Sequence, residues 1–242
     1  MSDEGLGLSA LLAPFSPQEW TAIALSLKVA TVGMFVSLPF GVAIAFLLAR
    51  RDFAGKSILN GIVHLPLVLP PVVTGWLLLL GFGRQGPFGR ALEGCCGLVF
   101  SFRWTGAALA AGIMGFPLMV RAIRLSIESV DLRLEQAGET LGATPAMVFA
   151  TITMPLAAPG VVAGMILAFA RAIGEFGATI TFVANIPGET QTIATALYSA
   201  TQIPGGEAIA MRLTIVAVLV AFTALLAAEV LAARVSRRAM EL

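Results

Sequence analysis

The sequence predicts an all-α fold, a polytopic membrane helix bundle, and three observations carry that prediction. Of 242 residues, 58% are hydrophobic and only 12% are charged, roughly half the charge density of a soluble domain. The mean hydropathy is +0.92, and the apolar residues run along the whole length rather than gathering in one core segment. Basic residues cluster at alternate ends of the apolar stretches, the pattern that orients helices during membrane insertion.

A helix needs about 20 apolar residues to cross the hydrocarbon core. Five stretches qualify: residues 20–49, 57–82, 104–120, 156–183 and 209–233. The opening MSDEGLGLSALLAPF has no basic n-region and no small-residue cleavage site, so the first span is expected to be retained rather than removed as a signal. Arg50, Arg51 and Lys56 follow span one; Arg121, Arg124 and Arg133 follow span three; Arg234, Arg237 and Arg238 follow span five. These three clusters belong in the cytoplasm. The opposite connections hold Arg84, Arg90 and Arg103 between spans two and three, and no Lys or Arg over 185–208. The N-terminus is therefore expected outside and the C-terminus inside, with an external segment at 1–18, a membrane domain at 19–233 and a cytoplasmic tail at 234–242. A sixth span hidden in 91–100 would break the alternation and is the competing reading.

Several spans carry helix-disturbing residues: Pro39 in span one, Pro66, Pro70 and Pro71 in span two, Pro117 in span three. Lipid does not satisfy the backbone groups a proline frees, so these bends should face protein or a wet cavity. Fixed packing bends and gating hinges are both consistent with that. Gly160 and Gly164 form a small-xxx-small pair that permits close helix approach. No internal repeat of the kind found in many secondary transporters is present. One bundle of five helices is thin for enclosing an ion path, which favours a dimer with the path between copies.

The composition excludes several functions. A net charge of +1 provides no field to gather nucleic acid. Cys95 and Cys96 are adjacent, match no metal-ligand spacing and are read as packing residues; His64, the one histidine, has no second imidazole for a metal site and is read as packed beside span two. The stretch AGKS at 54–57 ends like a Walker A loop, but the glycine required five positions before Gly55 is Arg50. The chain is expected to hold no cofactor and to hydrolyse no ATP itself. Ionisable residues inside spans are costly and tend to face protein or water, which singles out Lys28, Arg171, Glu175 and Arg212. Arg171 and Glu175 stand one turn apart and can pair, as a neutral structural unit or along an anion path with Thr179 and Thr181. Lys28 can attract an anion or snorkel to the outer interface.

The interval 132–154 is too polar for the membrane and too patterned for a linker. Its first helix places Leu134, Ala137 and Leu141 on one face, with Glu135 and Glu139 turned elsewhere, and Gly142 stops it. A second helix starts at Thr144, an N-cap, with Pro145 at the first helical position and Val148, Phe149 and Ile152 as an apolar face. Acidic residues disfavour an anionic lipid surface, so a groove on a partner protein is the expected dock.

From Gln136, Ala137 and Gly138 through Gly142 to Ile152 and Pro155, the spacing resembles the EAA-loop of permease subunits in ATP-binding-cassette importers, E-A-A-x3-G-x9-I-x-L-P. Gln136 stands where Glu is usual, Gly138 where the second Ala is usual and Met154 where Leu is usual, and Glu135 precedes the motif's carboxylate position by one residue. In that family the loop is the coupling helix that sits in a cleft of the ATPase subunit. The resemblance implies that Glu135, Gln136, Ala137, Gly138, Gly142, Ala143, Thr144, Pro145, Phe149, Ile152 and Pro155 form the coupling surface. FARAIGEFGATITFVANIPGETQTIATALY at 169–198, with HLPLVLPPVV and FPLMVRAIRLSIESVD, is similar to the molybdate-transport permeases over 19–229. That likeness implies the type I importer permease fold in a bacterial inner membrane, and a non-catalytic chain that carries molybdate, with sulfate or tungstate as same-class alternatives. It also implies a homodimer, two ATPase subunits that hold ATP and Mg, and an external molybdate-binding protein.

Overall fold

A computed structural model describes residues 14–240. Residues 1–13 of the expected external segment and 241–242 of the tail lie outside the described residues, as do the side chains of Arg234, Arg237 and Arg238. Helix α1 (Pro17–Arg50) starts from a capping box in which the Ser16 hydroxyl accepts from Glu19 N (3.3 Å) and the Glu19 carboxylate accepts from Ser16 N (2.7 Å). It then runs unbroken through Pro39.

Helix α5 (Trp104–Glu128) lies parallel to α1 at the centre of the bundle. Their approach is close because it is made of small residues: a Cβ on Gly33 would stand 2.7 Å from the Ala108 carbonyl oxygen and 3.0 Å from Gly112 N. Helix α8 (Met154–Ile173) packs antiparallel on the other side of α5. Gly160 meets Ser126, and a Cβ on Gly164 would stand 2.9 Å from the Met119 carbonyl oxygen. The small-residue pair read from sequence therefore sits in a helix–helix contact. Ala107, Ala110, Ala111 and Met114 on α5 fill the outer half of the core with Phe182, while Met119, Val120, Ile123 and Ile127 fill the inner half.

Five crossings are present if one bent pair counts as a span. Among the described residues four helices are long and apolar enough to cross, and α2 (Lys56–Val68) with α3 (Pro71–Phe82) makes the fifth, broken by 115°. The cause is local. Leu69, before a proline, is held extended at φ −69° and ψ 142°, Pro70 is extended too, and Pro71 then restarts a helix as its first residue.

Four expectations need correction. Span three extends to Glu128, so Arg121 and Arg124 lie within its end rather than after it; Arg124 pairs with Glu128 at 2.7 Å. Span four is broken: α8 stops at Ile173, and α9 (Gly177–Val183) resumes after residues 174–176, where Gly174 and Gly177 flank the turn. The reading of 91–100 as a sixth span fails, because α4 (Pro87–Cys96) has 10 residues, about 15 Å of helix against a core of about 30 Å. Cys95 and Cys96 are exposed at its end rather than packed, with sulfurs 2.8 Å apart, a contact that pushes the Cys96 thiol up.

The external connection before α11 (Glu207–Met240) also folds, as α10 (Ile193–Thr201), whose first amide donates to the Ser26 hydroxyl on α1 (2.7 Å). Opposite, the polar interval forms α6 (Leu132–Thr140), capped by Asp131, and α7 (Pro145–Val148), capped by Thr144. The second of these is not a free-standing helix, because a π-helical turn (Phe149–Thr153) carries it directly into α8.

Candidate functional site

Two regions hold the residues singled out from sequence. At the cytoplasmic end, Glu135 is the hub. Arg50, the last residue of α1, donates to its Oε1 from Nη2 (2.9 Å) and Nε (3.2 Å), and also donates to the Val130 carbonyl (3.0 Å). Thr153 Oγ1, at the start of α8, donates to the same carboxylate oxygen (2.8 Å). The two charged side chains are 10% and 15% exposed, so the pair is shielded from water and holds α6 against two spans at once. Nearby, the Lys56 ammonium 2.8 Å from Asp52 holds that exposed carboxyl below the ordinary aspartate range.

The two apolar faces of the interval have opposite destinations. Leu134 and Ala137 are exposed, and Leu141 is 88% exposed. Gln136, Glu139, Thr144 and Pro145 are exposed too, Glu139 and Pro145 beside Glu135 and Arg50, while Ala143 is half-buried and Pro155 is exposed at the head of α8. Val148, Phe149 and Ile152 point inward instead: Phe149 packs edge-on against Phe46 at 4.8 Å, and Ile152 lies over Gly138, where a Cβ would stand 2.8 Å from its Cδ1. Glycine at 138 is thus explained by the depth of Ile152. Gly142 adopts φ +88°, and a Cβ placed there would meet nothing within 4 Å, so conformation and not space selects it.

The second region is the break in span four. Arg171 Nη1 lies 2.7 Å from Glu175 Oε2, and Glu175 Oε1 accepts from Ala178 N at 2.8 Å. Glu175 is 3% exposed, so one buried carboxylate both neutralises the arginine and caps α9. Thr179 is buried, and Thr181 Oγ1 donates to the Gly177 carbonyl (2.8 Å). Helix α3 lies against α9, with Gly75 on Ala178 and Pro71 on Gly177. Thr74, between those contacts, has a buried hydroxyl without a hydrogen-bond partner. Lys28 lies apart from this group, exposed, with its ammonium 3.6 Å from the centroid of the Trp104 ring. Arg212 forms a two-point pair with Glu19, 3.0 and 3.1 Å, joining α11 to α1.

Residues 37–239 match the family model of the binding-protein-dependent transport system inner membrane component. The chain is 57% identical over 219 residues to the molybdenum transport system permease protein ModB of Escherichia coli (strain K12), covering 90% of this chain and 95% of that protein. It is 54% identical over 220 residues to ModB of Haemophilus influenzae, covering 91% and 96%. The chain belongs to the molybdenum transport permease family. Its fold matches that of a bacterial alginate ATP-binding-cassette transporter solved with its alginate-bound periplasmic protein, at TM-score 0.71 and 18% identity over 91% of this chain and 80% of that one. The permease is a multi-pass inner membrane component with the type I importer fold.

Sequence reasoning misses three residues that the fold joins to those it singled out. Arg50 counts there as a topology signal and as the mismatch to a Walker A loop, yet it is the partner of Glu135. Glu19 marks only the edge of the membrane domain, yet it neutralises Arg212. Thr74 sits in an apolar run and gives no signal beyond the prolines before it. Glu135 is named there in the coupling surface, one residue ahead of the motif's carboxylate position, but its partners Arg50 and Thr153 appear only in the fold.

Proposed function

We propose that two copies of this permease enclose an inner-membrane path for molybdate, that each copy docks an ATPase subunit on the exposed face of α6, and that an external binding protein delivers the anion. ATP and Mg2+ bind in the ATPase, and this chain makes and breaks no covalent bond. The observation that carries the reading is the arrangement around Glu135: an exposed apolar ridge, Leu134 to Leu141, is fastened through one carboxylate to the ends of α1 and α8. A ridge so anchored passes a push from below to two spans, and alternating access follows as rigid-body switching. Lys28, Arg171, Glu175, Thr179 and Thr181 remain the candidates along the path. The sequence relatives support molybdate as the cargo.

The test is reconstitution in liposomes. Molybdate uptake is expected only when ATPase, ATP and loaded binding protein are all present, with sulfate a poor competitor. Uptake through the chain alone would make it a channel or secondary transporter, and preferential sulfate uptake would reassign the cargo.

Gly142 provides a graded check on docking. In Gly142→Ala the left-handed backbone costs about 1–2 kcal/mol, and the α6–α7 turn should shift, lowering uptake several-fold with membrane insertion intact. Gly142→Asn, which tolerates that conformation, should retain most of the uptake. Equal uptake by both variants would remove the turn from the coupling path.

A further inference from the structure

Insertion bias disfavours basic residues on the external side, yet the connection between α3 and α5 holds Arg84, Arg90 and Arg103 against one carboxylate, Glu93. The other external connection, residues 184–206, has no Lys or Arg and carries Glu189. Positive charge on that side is therefore concentrated at one place. There, a cavity of about 470 Å3 opens between the end of α3 and the approach to α5, lined among others by Leu80, Arg84, Gln85, Ser101 and Phe102. Its charged lining group is Arg84, and among the described residues no carboxylate lies within ion-pair distance of that guanidinium. Ser101 is 6% exposed, and its hydroxyl has no hydrogen-bond partner. Buried hydroxyls are almost always satisfied, so an unpartnered one on a residue that lines a cavity is informative. The backbone is strained beside it: Phe102 holds φ +57°, a conformation bulky residues avoid and which recurs at ligand sites.

We propose that this cavity is an external oxyanion subsite, in which the Arg84 guanidinium and the Ser101 hydroxyl hold a small tetrahedral oxyanion before it enters the path. Arginine offers a fork of donors that matches adjacent oxygens of such an anion, and Ser101 and the Gln85 amide add neutral donors. A docked acidic protein surface is the competing occupant, but the recessed hydroxyl favours a small ion: a carboxylate on a broad protein face would reach Arg84 and leave Ser101 unpaired. The molybdate identity rests on the proposed function above; the anion site itself does not.

The experiment uses the permease assembled with its ATPase in lipid nanodiscs, without binding protein, and measures equilibrium binding of radiolabelled molybdate, with sulfate and phosphate as separate probes. Saturable binding is expected, with half-saturation raised about tenfold in Arg84→Gln, about threefold in Ser101→Ala, and little in Arg84→Lys. Stimulation of the ATPase by loaded binding protein should be the same in all four proteins. Absence of saturable binding in the wild type, or equal binding in Arg84→Gln, overturns the subsite. Loss of binding-protein stimulation in Arg84→Gln with anion binding unchanged overturns it in favour of protein docking. Arg84-dependent binding of sulfate or phosphate without molybdate upholds the subsite and sinks the cargo reading instead.

Discussion

Glu135→Ala is expected to separate ATP hydrolysis from uptake. The substitution leaves Arg50 with the Val130 carbonyl alone and strips Thr153 of its acceptor. Breaking one side of a shielded ion pair costs about 3 kcal/mol, which corresponds to a factor of roughly 100 in the population of the docked arrangement. The exposed ridge of α6 would still fit the ATPase, since none of its side chains is altered. It would no longer pull on α1 through the carboxylate, and its hold on α8 would be left to the Gly138–Ile152 contact and the continuous chain. Molybdate taken up per ATP hydrolysed should fall by about that factor, with ATPase activity and assembly retained. Glu135→Gln keeps an acceptor for Thr153 and should fall between. Replacing both partners by apolar residues, Arg50→Met with Glu135→Leu, removes the stranded charge and should likewise assemble, without restoring coupling. An unchanged ratio of uptake to hydrolysis in Glu135→Ala would show that force travels by another route.

The elements most legible in the sequence are those whose signal is local. Spans one, three and five are continuous apolar runs, and Thr144 with Pro145 announces a helix start wherever it occurs. The break at 174–176 escapes because apolar residues flank it on both sides, so hydropathy averages across it; Gly174 and Gly177 are the trace it leaves. At Pro70 and Pro71 the bend is visible but its 115° is not, since a proline pair permits a range of angles and packing of α3 on α9 selects one. Distance in sequence hides the rest. Arg50 and Glu135 are 85 residues apart, and Glu19 and Arg212 are 193 apart, pairings that only the folded bundle brings together. The family motif points to position 136 for its carboxylate, whereas helix geometry turns position 135 towards α1.

Glu175→Leu is expected to have the largest effect of all, on folding rather than on transport alone. The substitution strands the Arg171 guanidinium, whose side chain is 27% exposed, and removes the acceptor for Ala178 N at the head of α9. Removing one partner of a buried pair costs about 3–5 kcal/mol, a large part of the margin by which most domains are stable. Little folded permease should be recovered from membranes. Glu175→Gln keeps the cap while losing the charge and should fold better than the leucine variant. The discriminating protein is Arg171→Met with Glu175→Gln, which leaves neither an unpaired charge nor an uncapped amide. If the pair holds the break in span four, this variant should assemble and take up molybdate within about threefold of the wild type, a difference under about 1 kcal/mol. A variant that assembles normally but does not transport would place the charges themselves on the anion path. An arginine already committed to a carboxylate at 2.7 Å has no free charge to offer an anion, and the neutral pair neither attracts nor repels the cargo strongly, which is the physical reason to expect the structural outcome.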